Sequence, residues 1–315
     1  MSLQQWETYY RGGAISTCPT ASDGGYDQEV REAWVGFFTP LPDGARLLDI
    51  GTGNGVIPLI AADTAAALGR TWQIHGADLA RIDPVKHVPD GASRFAGITF
   101  HPGVATEQLP FDAGSFDAVS GHYALEYADL GKALAEVNRV LKPGGSAQFV
   151  VHNTRSALVR AALQSLHEVD WLLTEAKIYR RLHKLVVMND FTDSAKTTAA
   201  SLQVTIRELK NAVAVARQRG GGRVLSVALD AVQKLLEARK THPGTTVGLE
   251  VDRAEEAMRD SARRLKDLVA HARSEADMEA LEAQATAAGF EVVERAPQLH
   301  SGNNLVGWRI RLRKA

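Results

Sequence analysis

Between Arg46 and about Val151, short apolar runs alternate with stretches whose apolar residues recur at helical spacing. That arrangement predicts successive βαβ units around a parallel sheet. RLLDI (46–50) reads as the first strand and VIPLIAADTAAAL (56–68) as the helix that follows it. TWQIHGAD (71–78), ITFH (98–101), FDAVSG (116–121) and SAQFVVH (146–152) supply four more strands, each bounded by Gly, Pro or Asp. Between the last two, DLGKALAEVNRVLKPGG reads as one helix, capped by Asp129 and ended at Pro143-Gly144.

From Arg155 to roughly Glu275 the strand signals vanish, and Ala, Leu, Val, Arg, Lys and Glu recur at helical spacing. Breaks are expected at Gly220-Gly221-Gly222 and at His242-Pro243-Gly244. Leu202, Ile206, Leu209, Val213 and Ala216 form one amphipathic stripe; Leu225, Ala228, Leu229, Val232, Leu235 and Leu236 form another. The heptad is not sustained, so a helical subdomain packed on itself is favoured over a coiled-coil dimer. After the block, residues 278–290 read as a helix closed by Gly289, and residues 290–296 and 305–313 as strands. The expected fold is a doubly wound, mostly parallel, seven-stranded α/β sheet with a large helical insertion after the fifth strand. Its parts are an N-terminal helical lid (1–44), a sheet domain (45–154 and 276–315) and the insertion (155–275).

Composition changes this picture little. The 315 residues carry 36 Lys and Arg against 37 Asp and Glu, a formal net charge of -1. That lacks the basic excess of a nucleic-acid binder. The single cysteine, Cys18, allows neither an internal disulfide nor a cysteine metal site, which fits a reducing, cytoplasmic setting. No apolar run is long enough to span a bilayer, and the first residues lack the form of a secretory signal. His183, His242 and His271 lack metal-ligand spacing, so no metal is assigned.

The chemistry concentrates at Leu47-Leu48-Asp49-Ile50-Gly51-Thr52-Gly53-Asn54-Gly55, a glycine-rich turn between a strand and a helix. Glycines there permit the tight turn and let backbone approach a ligand. The dinucleotide fingerprint wants G-x-G-x-x-G, whereas the third glycine here is Gly55 and Val56 follows it. This disfavours an NAD-dependent dehydrogenase. Asp78 closes the second strand, where doubly wound folds place the acid that takes the two ribose hydroxyls.

With these segments in order, the chain resembles the class I S-adenosylmethionine-dependent methyltransferases, in the small-molecule branch of the ubiquinone and menaquinone enzymes. LLDIGTGNG looks like the family's first motif. Ala105-Thr106-Glu107-Gln108-Leu109-Pro110-Phe111 with Gly114-Ser115-Phe116-Asp117 is similar to its D-A-E-x-L-P-F…S-F-D segment. Ala124-Leu125-Glu126-Tyr127 resembles its L-E-H or L-H-H segment, and Leu141-Lys142-Pro143-Gly144-Gly145 its L-K-P-G-G turn. The resemblance implies a Rossmann-like methyltransferase fold, S-adenosyl-L-methionine as cofactor and S-adenosyl-L-homocysteine as product. It further implies that Gly51, Thr52 and Gly53 line the methionine part, with Asp49 near the amino group. Asp78 and Leu79 would hold ribose and adenine, the Ala105-Thr106 segment would border the adenine, and Gly121 would offer backbone at the methionine end. Two departures stand out: Ala105 replaces an Asp that bonds the adenine amino group, and Tyr127 replaces the last His.

Methyl transfer from a sulfonium is an in-line displacement in which positioning supplies much of the acceleration. Where the acceptor is protonated, a base belongs near the carboxyl ends of the strands, and His122, Tyr123 and His152 fall there by position. His152 also reads as a loop histidine bonded to backbone, and His122 as a wall of the pocket. Trp6, Tyr9 and Tyr10, followed by Gly12-Gly13, suit either a lid that brings Tyr10 to the cofactor or plain packing of a terminal helix. The insertion is placed to cap the acceptor or to serve as an interaction surface. Two functions follow: a methyltransferase acting on a small organic acceptor as a monomer or homodimer, or a non-catalytic cofactor-binding protein with a regulatory or scaffold role.

Overall fold

A computed structural model describes residues 3–15, 26, 28–188 and 192–315. Cys18 lies outside the described residues. The chain divides into two units, Met1–Val159 with His271–Ala315, and Arg160–Ala270.

The first unit opens with helices α1 (Gln4–Arg11) and α2 (Gln28–Phe38). It continues through β1 (Arg46–Ile50), α3 (Val56–Ala67), β2 (Gln73–Asp78), the single-turn helices α4 (Pro84–His87) and α5 (Gly91–Arg94), and β3 (Ile98–Pro102). Then come β4 (Phe116–His122), a 3-10 turn (Leu125–Tyr127), α6 (Leu130–Val140) and β5 (Leu141–His152). The strands form one seven-stranded sheet in the order β3-β2-β1-β4-β5-β7-β6. The chain reaches its last two strands by α7 to α11, described below, and by α12 (Glu275–Ala287), which precedes β6 (Phe290–His300) and β7 (Asn304–Lys314).

The first five strands in the chain pair in parallel. β7 runs antiparallel to both β5 and β6, so the sheet is mixed. A tight hairpin joins β6 to β7, and a connection that short can only reverse the chain. Alternate residues of β1 enter different cores: Leu48 and Ile50 pack with Val119, Phe149, Leu281 and Ile310, while Leu47 packs with Trp34, Ile57, Ile60 and Val150. Since neighbouring strand residues point to opposite faces, helices cover both faces, which is why the adjacent Leu47 and Leu48 are both apolar and buried.

The L-K-P-G-G segment departs from the expectation of a free turn ahead of a strand beginning at 146. β5 already starts at Leu141, which pairs with Phe116, and a register shift carries the pairing to Ala118 and Ser146. Leu141 is fully buried, and Lys142 Nζ bonds both oxygens of Asp117 at 2.8 Å, so the segment is pinned to β4 as a bulged strand end. The expected caps are present: Asp129 accepts from the Lys132 amide, and Gly289 follows α12 at φ 89°.

The second unit is helical. α7 (Ala157–Asp170) carries the chain into it, followed by a π turn (Trp171–Glu175), α8 (Ile178–Val186), α9 (Asp193–Gln218), α10 (Arg223–Ala238) and α11 (Gly244–His271). The two amphipathic stripes meet in its own core, where Leu202, Leu209 and Val213 of α9 join Leu225, Ala228 and Val232 of α10. Among the described residues, no helix is long and apolar enough to cross a membrane.

Candidate active site

The glycine turn lies where β1 sits between β2 and β4, the point at which the strand order reverses and open α/β sheets form their ligand crevice. Gly51 and Gly53 have φ of 57° and 51°, and Gly55 caps α3 at φ 84°. A Cβ on Gly51 would lie 2.4 Å from the Cβ of Ala124, just beyond β4, so no larger residue fits that crevice. A Cβ on Gly53 would lie 2.7 Å from the Tyr10 ring.

Asp78, buried at the end of β2, is held from both sides by main chain. The Gly53 amide donates to its Oδ2 and the Ala80 amide to its Oδ1, both at 2.8 Å. Desolvation raises its pKa to about 6 in spite of these bonds. Each oxygen keeps a further lone pair for a ligand hydroxyl. The main chain of Asp78 also anchors the loop after β3: Val104 donates to the Asp78 carbonyl at 2.9 Å, and Ala105 and Thr106 follow it in the chain. Leu79 is exposed next to it. Asp49, near the end of β1, is buried and accepts a bond from the Ser120 hydroxyl at 2.7 Å. Burial pushes its carboxyl up to about 7, against the lowering effect of that bond.

Helix α1 is tied to the turn. The Asn54 side-chain amide donates to the carbonyls of Tyr10 and Ala14 at 2.9 and 2.7 Å. Desolvation, and next the Asp78 carboxylate, push the Tyr10 phenol well above its ordinary range. Trp6 stacks on Tyr10 and meets Tyr127 edge-on. Gly121 lies in the core, where a Cβ would be 3.0 Å from Ile50 and 3.1 Å from Phe149, so a larger residue would crowd both side chains.

The three base candidates differ sharply. His122 accepts at Nδ1 from the Trp34 indole at 3.1 Å and lies against Tyr26, and burial lowers its pKa to about 3. Tyr123 adopts φ 55° and donates its hydroxyl to the Val306 carbonyl at 3.0 Å. Its ring stacks on that of His152 at 3.9 Å and 7°. His152 is buried with Nδ1 unpartnered, and its pKa is also lowered to about 3, by desolvation.

Two further residues escaped the sequence reading. Glu126, on the 3-10 turn, is fully buried and accepts from the His152 main-chain amide at 2.8 Å. Arg273, immediately before α12, donates from Nη2 to the Glu126 carbonyl at 2.8 Å. The motif match contained Glu126 without a role for it. Arg273 lies far downstream, beyond the helical block, where no spacing rule reaches.

Residues 48–149 match the family described as "Methyltransferase domain". A demethylmenaquinone methyltransferase of Chlorobaculum parvum is 33% identical over 107 residues, covering 33% of this chain and 40% of the relative. The ubiquinone/menaquinone biosynthesis C-methyltransferase UbiE of Desulfotalea psychrophila is 36% identical over 109 residues, with 33% and 40% coverage. The matched part thus spans about two fifths of these relatives' length. Among solved structures, the YcgJ protein of Bacillus subtilis aligns at 27% identity and a TM-score of 0.31, over 45% of this chain and 58% of that one.

Proposed function

We propose that the chain is an S-adenosylmethionine-dependent methyltransferase that moves a methyl group to a small organic acceptor by in-line displacement. The observation that carries the proposal is the Asp78 carboxylate, fixed by the Gly53 and Ala80 amides beside a turn whose glycines admit no side chain. The residues fit this cofactor: Asp78 has lone pairs left for the two ribose hydroxyls, Gly51 and Gly53 let main chain approach the methionine part, and Asp49 lies within the same crevice. When bound, the cofactor supplies a methyl group on a sulfonium, which leaves as a neutral thioether. The protein binds, orients and excludes water. Helix α1, held by Asn54, covers the turn and brings Tyr10 against Gly53. His152 stays unprotonated at neutral pH and can take a proton at Nδ1, although so low a pKa makes it a weak base. On chain order, the helical unit inserted after β5 is the part that discriminates among acceptors. The setting is cytoplasmic, and the protein acts as a monomer or homodimer.

Calorimetry tests this reading. S-adenosylhomocysteine should bind and NAD should not. Asp78→Ala should weaken S-adenosylhomocysteine at least about tenfold, since hydrogen bonds to a charged group are worth about 1.5–3 kcal/mol each. Tight NAD binding without a response to S-adenosylhomocysteine would overturn the assignment, and a folded Asp78→Ala variant that binds normally would remove the ribose role.

A further inference from the structure

Charge is divided unequally between the two units. The helical unit, residues 160–270, carries 19 Lys and Arg against 14 Asp and Glu, while the sheet unit carries 17 against 23. A nearly neutral total thus conceals one basic unit and one acidic unit. The basic excess has a single source. Residues 194–229, which cover most of α9 and the start of α10, hold six cations (Lys196, Arg207, Lys210, Arg217, Arg219 and Arg223) and one carboxylate, Glu208. All six cations are exposed.

The cations of this unit are used in two ways. On α11, Arg253, Arg259 and Arg263 each pair with a carboxylate of their own helix: Glu250, Glu255 and Glu256. Arg207, Lys210, Arg219 and Arg223 have no carboxylate partner among the described residues, and Arg217 reaches only the Ser226 hydroxyl, at 3.2 Å. Compensation of the helix dipole accounts for Arg217 and Arg219 at the carboxyl end of α9, but not for Arg207 and Lys210 in its middle.

The unpaired cations are ordered along the helix. At 3.6 residues per turn, Lys196, Arg207, Lys210 and Arg217 fall within about 80° of one another around the axis of α9 and extend about 30 Å along it. The core residues Leu202, Leu209 and Val213 occupy a separate arc. Val204 and Val215, 49% and 48% exposed, lie beside the stripe on the side away from the core, with Glu208 beyond them. On α10, the exposed Val227 follows Arg223 by one turn.

A small anion could meet only one or two of these cations. Nucleic acid could meet them all, but surfaces that bind single strands add aromatic rings for the bases to stack on, and α9 contains no aromatic residue. A phosphate backbone also gives the exposed valines nothing to pack against. An anionic bilayer accepts both features: its headgroups take a row of cations, and its interfacial layer takes short aliphatic side chains.

We propose that the outer face of α9, with the arginines of the turn into α10, docks the helical unit onto an anionic phospholipid surface. The attachment is peripheral, electrostatic and reversible. It uses no residue of the glycine-turn crevice, so it stands or falls independently of the methyltransferase reading.

Vesicle co-sedimentation of the full chain tests the proposal, with phosphatidylcholine alone and with about a third of it replaced by phosphatidylglycerol. At low salt the chain should bind the anionic vesicles at least about tenfold more tightly than the neutral ones, and about 0.5 M salt should remove most of that difference by screening. The triple variant Arg207→Gln, Lys210→Gln, Arg219→Gln should weaken anionic binding at least about tenfold, since each cation near such a surface contributes roughly fivefold. The double variant Arg253→Gln, Arg259→Gln on α11 should leave binding within about twofold, because those cations are already paired. Circular dichroism checks that both variants fold. Equal binding to the two kinds of vesicle overturns the proposal, as does wild-type binding by the folded triple variant. An equal loss in the α11 variant also overturns it, since overall charge and not the stripe would then be responsible. Tighter binding to a duplex oligonucleotide than to anionic vesicles would give the stripe to nucleic acid, and salt-dependent self-association without vesicle binding would give it to the acidic sheet unit of a second copy. If the triple variant does not fold, the anionic-to-neutral ratio, its salt response and the α11 variant decide the matter.

Discussion

The sheet unit and the helical unit bury polar groups for different reasons. In the sheet unit, Asp49, Asp78, Glu126, His122 and His152 lie buried at or just beyond the carboxyl ends of strands, and each has a pKa displaced by desolvation. In the helical unit, buried polar groups serve the helices themselves. Glu168 Oε1 accepts from the Gly222 amide at 3.0 Å and closes the joint between α9 and α10, Thr205 bonds back to the Ser201 carbonyl, and Asp260 pairs with Arg263. The contrast is between carboxylates and histidines whose ionisation is displaced by burial in the sheet unit and polar groups that cap or join helices in the helical unit.

The largest test of this contrast is Leu209→Ala. Leu209 is fully buried in the helical core, so its truncation should cost about 2–5 kcal/mol in the unfolding of that unit. S-adenosylhomocysteine affinity should not change, and the loss should be the same from pH 5 to 8. Chemical denaturation followed by circular dichroism, alongside calorimetry, measures both. A fall in cofactor affinity would show that the two units are not separable in this way.

Glu126→Gln probes the other side. The Glu126 carboxyl stands at about 7 in the fold against an ordinary value of 4.5. Between those pH values the unfolded chain loses this proton first, so wild-type stability falls as pH rises through the window. Glutamine has no proton to lose, so the variant should gain about 1–3 kcal/mol relative to wild type, developing from about pH 4.5 and complete above about 7. His122 and His152 act in the opposite sense: each is lowered to about 3 from 6.5, so their contribution is lost as pH falls from about 6.5 towards 3. A gain that does not vary with pH would mean that Glu126 is not a strained buried acid.

The smallest effect belongs to Ser274→Ala. Ser274 forms a capping box with Asp277 at the start of α12, directly after Arg273. Loss of that cap should cost about 1 kcal/mol in denaturant unfolding. A much larger loss would mean that the cap also fixes Arg273.

The strand-turn-helix at residues 46–67, the Asp129 cap and the two helical stripes were legible because each depends on residues close together in sequence. The bulged start of β5 was not, since Pro143 and Gly144 are turn residues by local rules and only the pairing of Leu141 with Phe116 makes the segment part of the sheet. That β7, rather than β6, lies beside β5 depends on a neighbour far away in the chain.

For the candidate site the division is the same. The sequence by itself determined the glycine turn and Asp78, because a left-handed backbone and a tight crevice leave room for no other residue type, and because the acid must end the next strand. It also pointed to the carboxyl ends of the strands as the place for the proposed chemistry. Only the tertiary structure decided which histidine keeps a free nitrogen: the Trp34 indole occupies that of His122, and nothing among the described residues occupies Nδ1 of His152. It alone placed Arg273 against Glu126, 147 positions apart in the chain. Desolvation and hydrogen-bond partnership are properties of the packed neighbourhood, and residues brought together from opposite ends of a helical insertion leave no periodicity to read.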